Sequence, residues 1–484
     1  MYHDLRDWLD QVDALGQLRR VNGADWDLEL GALTDLMARK GENADALLFD
    51  EIKGYPAGYR VASGLLNSRE RLALTLGLPT EWPSDMAFVQ ALRPRVAQLE
   101  LTPPRAVARG PILENEQVGD AVDLGQFPVP RWHQFDGGRY LGTGDLIMTR
   151  DPDSGWVNAA TYRVMVQDAQ HLSLYISPGH QGFLHRERYF ALGKPCPVAM
   201  CFGCDPLLLI PAGTEVPRGT SEYDYAGGLR GAPIDVIEGS VTGLPFPAHA
   251  EIVVEGLLTP NDRRPEGPFG EFTGYYASGS RDEYTMKVER LLYRDDPIIT
   301  GMLVGRPPHD NCLMYSLIKS AQIWNELERA GVSNVQGVWY HRTAQRFWLV
   351  VSIQQRYNGH AKQALGIAAQ CANTAYMGRF VIVVDEDVDP SNTDDVLWAM
   401  ATRCDPERDI DVLRDCWSGP LDPVIPPDRK GSNSNSKALI NACRPYTWKD
   451  RFPPVAESSP EIYEAVRAKF ADVLADRPPA RVGR

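Results

Sequence analysis

Apolar residues recur at helical spacing from the start of the chain. Leu5, Trp8, Leu9, Val12, Leu15 and Leu18 share one face of a helix expected over 4–18, and Asp4 is placed to cap it. The periodicity fails at LTPPRAVARGP (101–111), where prolines and arginines mark an expected domain boundary. Beyond it, short apolar runs such as EIVVEGLL (251–258) and PIITGML (297–303) alternate with Gly, Pro and Asp turns, which predicts a β-rich barrel or sandwich. From about 305 the texture changes again. Helix-like IKSAQIWNELERAG (318–331), strand-like FWLVVSI (347–353), helix-like HAKQALGIAAQCANTA (360–375), strand-like RFVIVVDED (379–387) and helix-like TDDVLWAMATR (393–403) follow one another, as in an α/β domain. The segment PEIYEAVRAKFADVLA (460–475) predicts a last helix with an apolar stripe of Ile462, Val466, Phe470 and Leu474, suited to docking on a second subunit. The final residues, DRPPARVGR (476–484), read as a frayed end.

Length and charge narrow the class. With 484 residues the chain exceeds one ordinary core, and the expected division is 1–105, 106–304 and 305–484. A net charge of −14 argues against nucleic acid as a bulk partner, because phosphate recognition needs a basic face. The first residues, MYHDLRDWLDQVD, are acidic and lack the apolar core of a leader, and no run approaches the length needed to span a bilayer; a cytoplasmic protein without a membrane partner is expected. Eight scattered cysteines suit reduced thiols. Cys201 and Cys204 form one C-x-x-C within PVAMCFGCDP, with no second pair to complete a zinc site, so buried thiols are expected there.

One stretch does not fit any regular element. In EGPFGEFTGYY (266–276) the two glutamates would point apart on a helix or a strand, and only a tight loop built on Gly267, Pro268 and Gly270 brings their carboxylates together. Converged carboxylates resist double ionisation, so one of them keeps a proton at higher pH, and Phe269 would add to that by excluding water. Arg163, in the strand-like NAATYRVMV (158–166), is the cation suited to hold the other as an anion. The plain alternative is a pair of solvated loop glutamates.

Together with NAATYR (158–163), GTSEYDY (219–225) and SNSKALINACRPYTWKD (434–450), EGPFGEFTGYY resembles the UbiD family of reversible decarboxylases, over nearly the whole chain and in the family's order. The resemblance implies a central split β-barrel that binds prenylated FMN, a C-terminal α/β domain that dimerises, and an N-terminal helical or α+β segment. It implies decarboxylation of an aromatic, heteroaromatic or α,β-unsaturated acid through a covalent adduct with the prenylated FMN. Loss of CO₂ from such an acid leaves an electron pair that no side chain can accept, which is why a cofactor is needed.

Residue by residue, the resemblance implies a catalytic Arg163, Glu266 and Glu271, with Glu271 as proton donor. Asn158, Glu222 and a histidine would hold a divalent metal, manganese in the family, against the cofactor phosphate, with potassium a further candidate ion. His180 is the histidine chosen from ISPGHQGFLH (176–185), with His185 as the other candidate. Thr161 and Arg163 would contact the cofactor. Amide, carboxylate and imidazole donors suit a hard octahedral cation. Arg379 and Lys437 could reach an anion, or could be an exposed strand end and a mobile loop. The partners implied are the acid and CO₂, a prenyl-flavin synthase as cofactor supplier, and a second copy of the chain in a homodimer or larger homo-oligomer. A paired-carboxylate hydrolase and a non-catalytic flavin-phosphate binding protein are the alternatives.

Overall fold

The computed structural model describes residues 2–41, 44–214, 216 and 219–474. Helix α1 (Leu5–Ala14) buries Leu5, Trp8, Leu9 and Val12, and the Asp4 carboxylate accepts from the Asp7 amide to cap it. It stops short of the expected 4–18. Gly16, at φ +71°, turns the chain into strand β1 (Leu18–Asn22), so Leu18 packs as a strand residue and Leu15 is exposed. Strands β1, β2 (Ala46–Asp50) and β3 (Arg60–Ser63) form a small mixed sheet that Ile298–Thr300 completes from far along the chain.

The β-rich middle is one curled nine-stranded sheet. Its strands are β4 (Asn115–Val118), β5 (Arg139–Gly142), β6 (Asp145–Arg150), β7 (Val157–Ala160), β8 (Arg163–Val166), β9 (His171–Tyr175), β10 (Cys196–Phe202), β11 (Ile252–Glu266) and β12 (Arg281–Tyr293). The path runs β5-β8-β9-β12-β11-β10-β6-β7, with β4 beside β12. The expected strand NAATYRVMV is thus two strands, broken at Thr161–Tyr162. Because β7 is one edge of the sheet and β8 lies next to the other, this short link spans the opening of a half-barrel. Helices α2 (Gln181–Ala191) and α3 (Glu222–Arg230) flank the opening, and a buried apolar cluster including Tyr140, Val164, Leu172 and Met286 fills the interior.

A second, five-stranded sheet follows in the order β13-β14-β15-β17-β16. These strands are β13 (Val335–Tyr340), β14 (Trp348–Ile353), β15 (Phe380–Asp385), β16 (Ile410–Trp417) and β17 (Ser434–Ala442). Helices α4 (Cys312–Arg329), α5 (His360–Gln370) and α6 (Thr393–Arg403) alternate with them, as the apolar runs predict. The parallel trio β14, β15 and β17 is buried along most of its length, which is why RFVIVVDED reads as a continuous apolar run.

Among the described residues, those from 444 to 474 form a separate unit. Its helix α7 (Pro460–Lys469) is capped by Ser459 and followed by a short turn, Ala471–Leu474. Ile462, Val466, Phe470 and Leu474 are all exposed. The expected frayed end at 476–484 lies outside the described residues. Among the described residues no helix is long and apolar enough to cross a membrane.

Candidate functional site

The two glutamates do converge. Glu266 is the last residue of β11, paired in register with Arg281 of β12, and the chain between them folds back as a loop. That return depends on glycine. Gly267 sits at φ +83°, and a Cβ on Gly137 would lie 2.0 Å from the Gly267 carbonyl oxygen, a position only glycine can occupy. The Gly137 amide then donates to the Pro268 carbonyl at 2.8 Å, and Gly270 forms an isolated bridge with Tyr276. Glu271 is held inside this loop by its own amide on the Tyr275 carbonyl, at 3.1 Å, and by its carbonyl accepting from Gly274 at 2.9 Å.

Arg163, the first residue of β8, reaches both acids. Its Nε and Nη2 donate to the two oxygens of Glu266, each at 2.8 Å, and its Nη1 donates to Glu271 Oε1 at 2.6 Å. The bidentate pair is the strong geometry for guanidinium and carboxylate. Glu266 is wholly buried, and its Oε1 also accepts from the Tyr140 hydroxyl at 3.1 Å. The Arg163 guanidinium stacks over Tyr175, 4.4 Å from the ring centroid. Burial works against its charge, but the bonds to Glu266 and the field of both carboxylates outweigh it and raise its pKa. Glu271 is raised as well, first by burial and then by the Glu266 charge, against the opposing pull of Arg163 and Arg281. One guanidinium therefore grips Glu266 through both oxygens and holds Glu271, an acid with added proton affinity, through one.

The second cluster forms at the sheet's other edge. Asn158, on β7, is buried, and the adjacent Ala159 amide donates to Glu222 Oε2 at 2.8 Å, which brings β7 against the start of α3. Glu222 is buried without an ion pair among the described residues, and burial pushes its carboxyl up to about 7. His180 caps the start of α2 with its ring edge-on to Tyr162, centroids 6.0 Å apart. The Tyr162 hydroxyl accepts from the Gly182 amide at 3.2 Å and is hydrogen-bonded to the Asn158 side chain. His185, buried on α2, contacts Thr149 Oγ1 through Nδ1 at 3.0 Å, and Thr149 stands opposite Asn158 across β6 and β7. The buried Glu222 carboxylate and the Asn158 amide are donor types that suit a divalent cation, while among the described residues no group of three or more His, Cys, Asp or Glu side chains is assembled to hold one, and His180 is exposed. Thr161 lies on the link between the clusters, its hydroxyl on the Asp145 carbonyl at 3.1 Å.

Other candidates fall elsewhere. Lys437 is buried on β17 and its Nζ donates to the carbonyls of Ala369, Thr374 and Ala375, a structural tie that closes the end of α5. Arg379 pairs with Asp422 at 2.5 Å and lies over Phe347. Cys201 and Cys204 are buried free thiols. Tyr140, Tyr175 and Asp136 escape sequence reasoning, because their approach to the glutamates depends on strand order and no local pattern announces them.

The half-barrel thus carries an arginine bonded to two carboxylates near one edge and a buried carboxylate without an ion pair among the described residues at the other. Three family descriptions match in succession: the 3-octaprenyl-4-hydroxybenzoate carboxy-lyase N-terminal domain over residues 9–84, its Rift-related domain over 105–307 and its C-terminal domain over 312–442. The chain belongs to the UbiD family. It is 34% identical over 459 residues to a pyrrole-2-carboxylic acid decarboxylase of Pseudomonas aeruginosa, covering 91% of each chain. It resembles the solved vanillic acid decarboxylase of Sedimentibacter hydroxybenzoicus in its closed form, with a TM-score of 0.83, 30% identity and coverage of 98% and 100%. A third similar structure is an evolved dimeric form of the UbiD-class enzyme HmfF from Pelotomaculum thermopropionicum in complex with prFMN, at TM-score 0.80, 26% identity and coverage of 97% and 100%.

Proposed function

We propose that this protein is a prenylated-FMN-dependent decarboxylase of aromatic or heteroaromatic acids in which Arg163, Glu266 and Glu271 perform the proton chemistry. The observation that carries the reading is the single guanidinium shared by one wholly buried glutamate and one less buried glutamate. Glu266 is tied down on both oxygens and serves to fix Arg163. Glu271 has one bond to Arg163 and keeps its carboxyl free to turn toward a substrate, so it is the proton donor. A paired-carboxylate hydrolase would need two carboxyl groups facing the substrate, and Glu266 faces none.

Prenylated FMN would supply the electron sink that side chains lack. Asn158, Glu222 and His180 would hold a divalent metal, with manganese the first choice, and the metal would anchor the cofactor phosphate; Thr161 would line the same opening. Support for the cofactor comes from the relative solved with prFMN, and support for a ring acid comes from the relatives' names, pyrrole-2-carboxylic and vanillic acid decarboxylase. The middle segment, 106–304, would then carry the cofactor, the C-terminal α/β sheet would complete the cleft, and the terminal helix α7 would meet a second subunit. The test is co-production with a prenyl-flavin synthase, a visible spectrum of the purified protein, and a panel of aryl, heteroaryl and alkenoic acids assayed for CO₂ release. Bound cofactor with no CO₂ from any ring acid would overturn the assignment.

A further inference from the structure

Around Glu271 the Gly270 amide, both Glu271 backbone groups and the Phe272 carbonyl are tied, and two of the ties come from ionisable side chains far away in sequence. Before Glu271, the Gly270 amide donates to Asp136 Oδ1 at 3.2 Å. After it, His309 Nε2 lies 3.2 Å from the Phe272 carbonyl oxygen, to which the Nε2–H tautomer of the neutral ring donates, and also 3.2 Å from Gln345 Nε2. Both side chains are buried, Asp136 at 5% and His309 at 1% exposure. Asp136 is itself fixed, its Oδ2 accepting from the His133 amide at 2.9 Å, while its partner residue Tyr276 closes the loop's far side. Gly267 and Gly270 leave the backbone extra rotational freedom, and these ties from outside add to the loop's own bonds between Glu271, Gly274 and Tyr275.

We propose that Asp136 and His309 are positioning residues that clamp the backbone on both sides of Glu271, so that its carboxyl swings from Arg163 to the reacting carbon about a fixed pivot. The inference rests on the reading of Glu271 as proton donor. A carboxyl that leaves a bond to Arg163 during turnover must arrive within hydrogen-bond reach of its target, and a displacement of about 1 Å at such a site costs on the order of 10²-fold in rate. Burial keeps His309 neutral, with its pKa pushed down to about 4, so the clamp holds across the working pH range. Groups that face the Glu271 carboxyl itself are Arg163, Glu266 and Arg281.

The test uses His309→Leu, which removes the donor, His309→Gln, which returns an N–H at the same reach, and Asp136→Ala on the other flank. Hydrogen–deuterium exchange of the peptide 266–276 is followed in the cofactor-free protein, and kcat and KM in the loaded enzyme. The expected result is at least tenfold faster exchange in His309→Leu and Asp136→Ala, a kcat lowered about tenfold or more with KM within twofold, and His309→Gln close to the parent on both. If His309→Leu does not fold, His309→Phe takes its place, keeping a flat ring without the N–H. Unchanged exchange, or a rise in KM alone, overturns the proposal, as does a failure of His309→Gln to restore what His309→Leu loses. Glu271→Gln run in parallel separates the two ideas. Turnover retained there refutes the donor role, while the exchange of 266–276 still decides the clamp.

Discussion

Asn158 and Arg163 belong to successive strands, yet β7 ends the nine-stranded path at one side and β8 lies beside the opposite end. The link between them, Thr161–Tyr162, therefore carries the chain across the mouth of the half-barrel, and the two polar clusters face each other over that mouth because one short stretch of sequence serves both edges. Tyr162 holds the crossing, its hydroxyl bonded to the Gly182 amide at the start of α2.

Glu271→Gln should leave the protein folded and abolish turnover, with kcat lowered by at least 10³-fold, because an amide cannot deliver the proton. Its melting temperature should stay within a few degrees of the parent. Circular dichroism and CO₂ release measured on the same preparation check both halves.

Glu266→Gln should behave differently. It breaks the bidentate pair with Arg163 in a wholly buried place, and losing one partner of such a pair costs about 3–5 kcal/mol. The stability loss, read by urea unfolding, should exceed that of Glu271→Gln, whose carboxyl is less buried and has one bond to the arginine. Equal losses would mean that Glu266 is not the anchor of the cluster.

If Glu271 is the proton donor, as proposed, its raised pKa, caused first by burial and opposed by Arg163, should set the alkaline side of the pH profile. The protonated form persists above the ordinary glutamate range, so activity should hold into that higher range and fall as pH rises through the shifted pKa. Replacing Arg281, which opposes the shift, by Gln should move the alkaline limb of kcat upward. A stopped-flow or CO₂-electrode profile of kcat between pH 5 and pH 9, taken on both proteins, reads the shift directly.

Much of this architecture was legible beforehand, for reasons that can be named. The C-terminal alternation of apolar runs follows from buried parallel strands and amphipathic helices, and β14, β15 and α5 stand where those runs predict. The loop glutamates were legible because Gly267, Pro268 and Gly270 leave no regular element to host them. The end of α1 was missed, since Leu15 and Leu18 continue a helical spacing that Gly16 interrupts in three dimensions. For Lys437 the turn formers of KGSNSNSK leave an anion contact and a mobile loop both open, yet pairing of β17 with β15 and β16 makes it a buried strand lysine satisfied by three carbonyls. Asp136 and His309 carry no local signal at all, as their partners Gly270 and Phe272 meet them only through the fold.

Metal retention should depend on Glu222 and on one histidine. Glu222→Gln removes the buried carboxylate that lacks an ion pair among the described residues, and should lower bound manganese after dialysis at least tenfold while the protein stays folded. His180→Ala should do the same on the proposed ligand set, whereas loss of metal in His185→Ala instead would assign the ligand to His185, whose Nδ1 meets Thr149 while its Nε2 is buried without a hydrogen-bond partner among the described residues. Metal analysis of the three purified variants decides between the histidines.

The apolar face of α7 is the last feature that asks for a partner. Ile462, Val466 and Phe470 are 53%, 43% and 44% exposed, a stripe of large side chains that water does not favour leaving uncovered. A second copy of the chain is the partner expected, since closed homo-oligomers are the commonest way to bury a repeated apolar face. Each fully covered side chain would add about 1.5–3 kcal/mol per subunit. Val466→Glu and Phe470→Glu should therefore weaken association enough to shift the sedimentation coefficient toward a smaller species at micromolar concentration, with the fold intact by circular dichroism. A sedimentation profile identical to the parent in the double variant would show that this stripe takes no part in assembly.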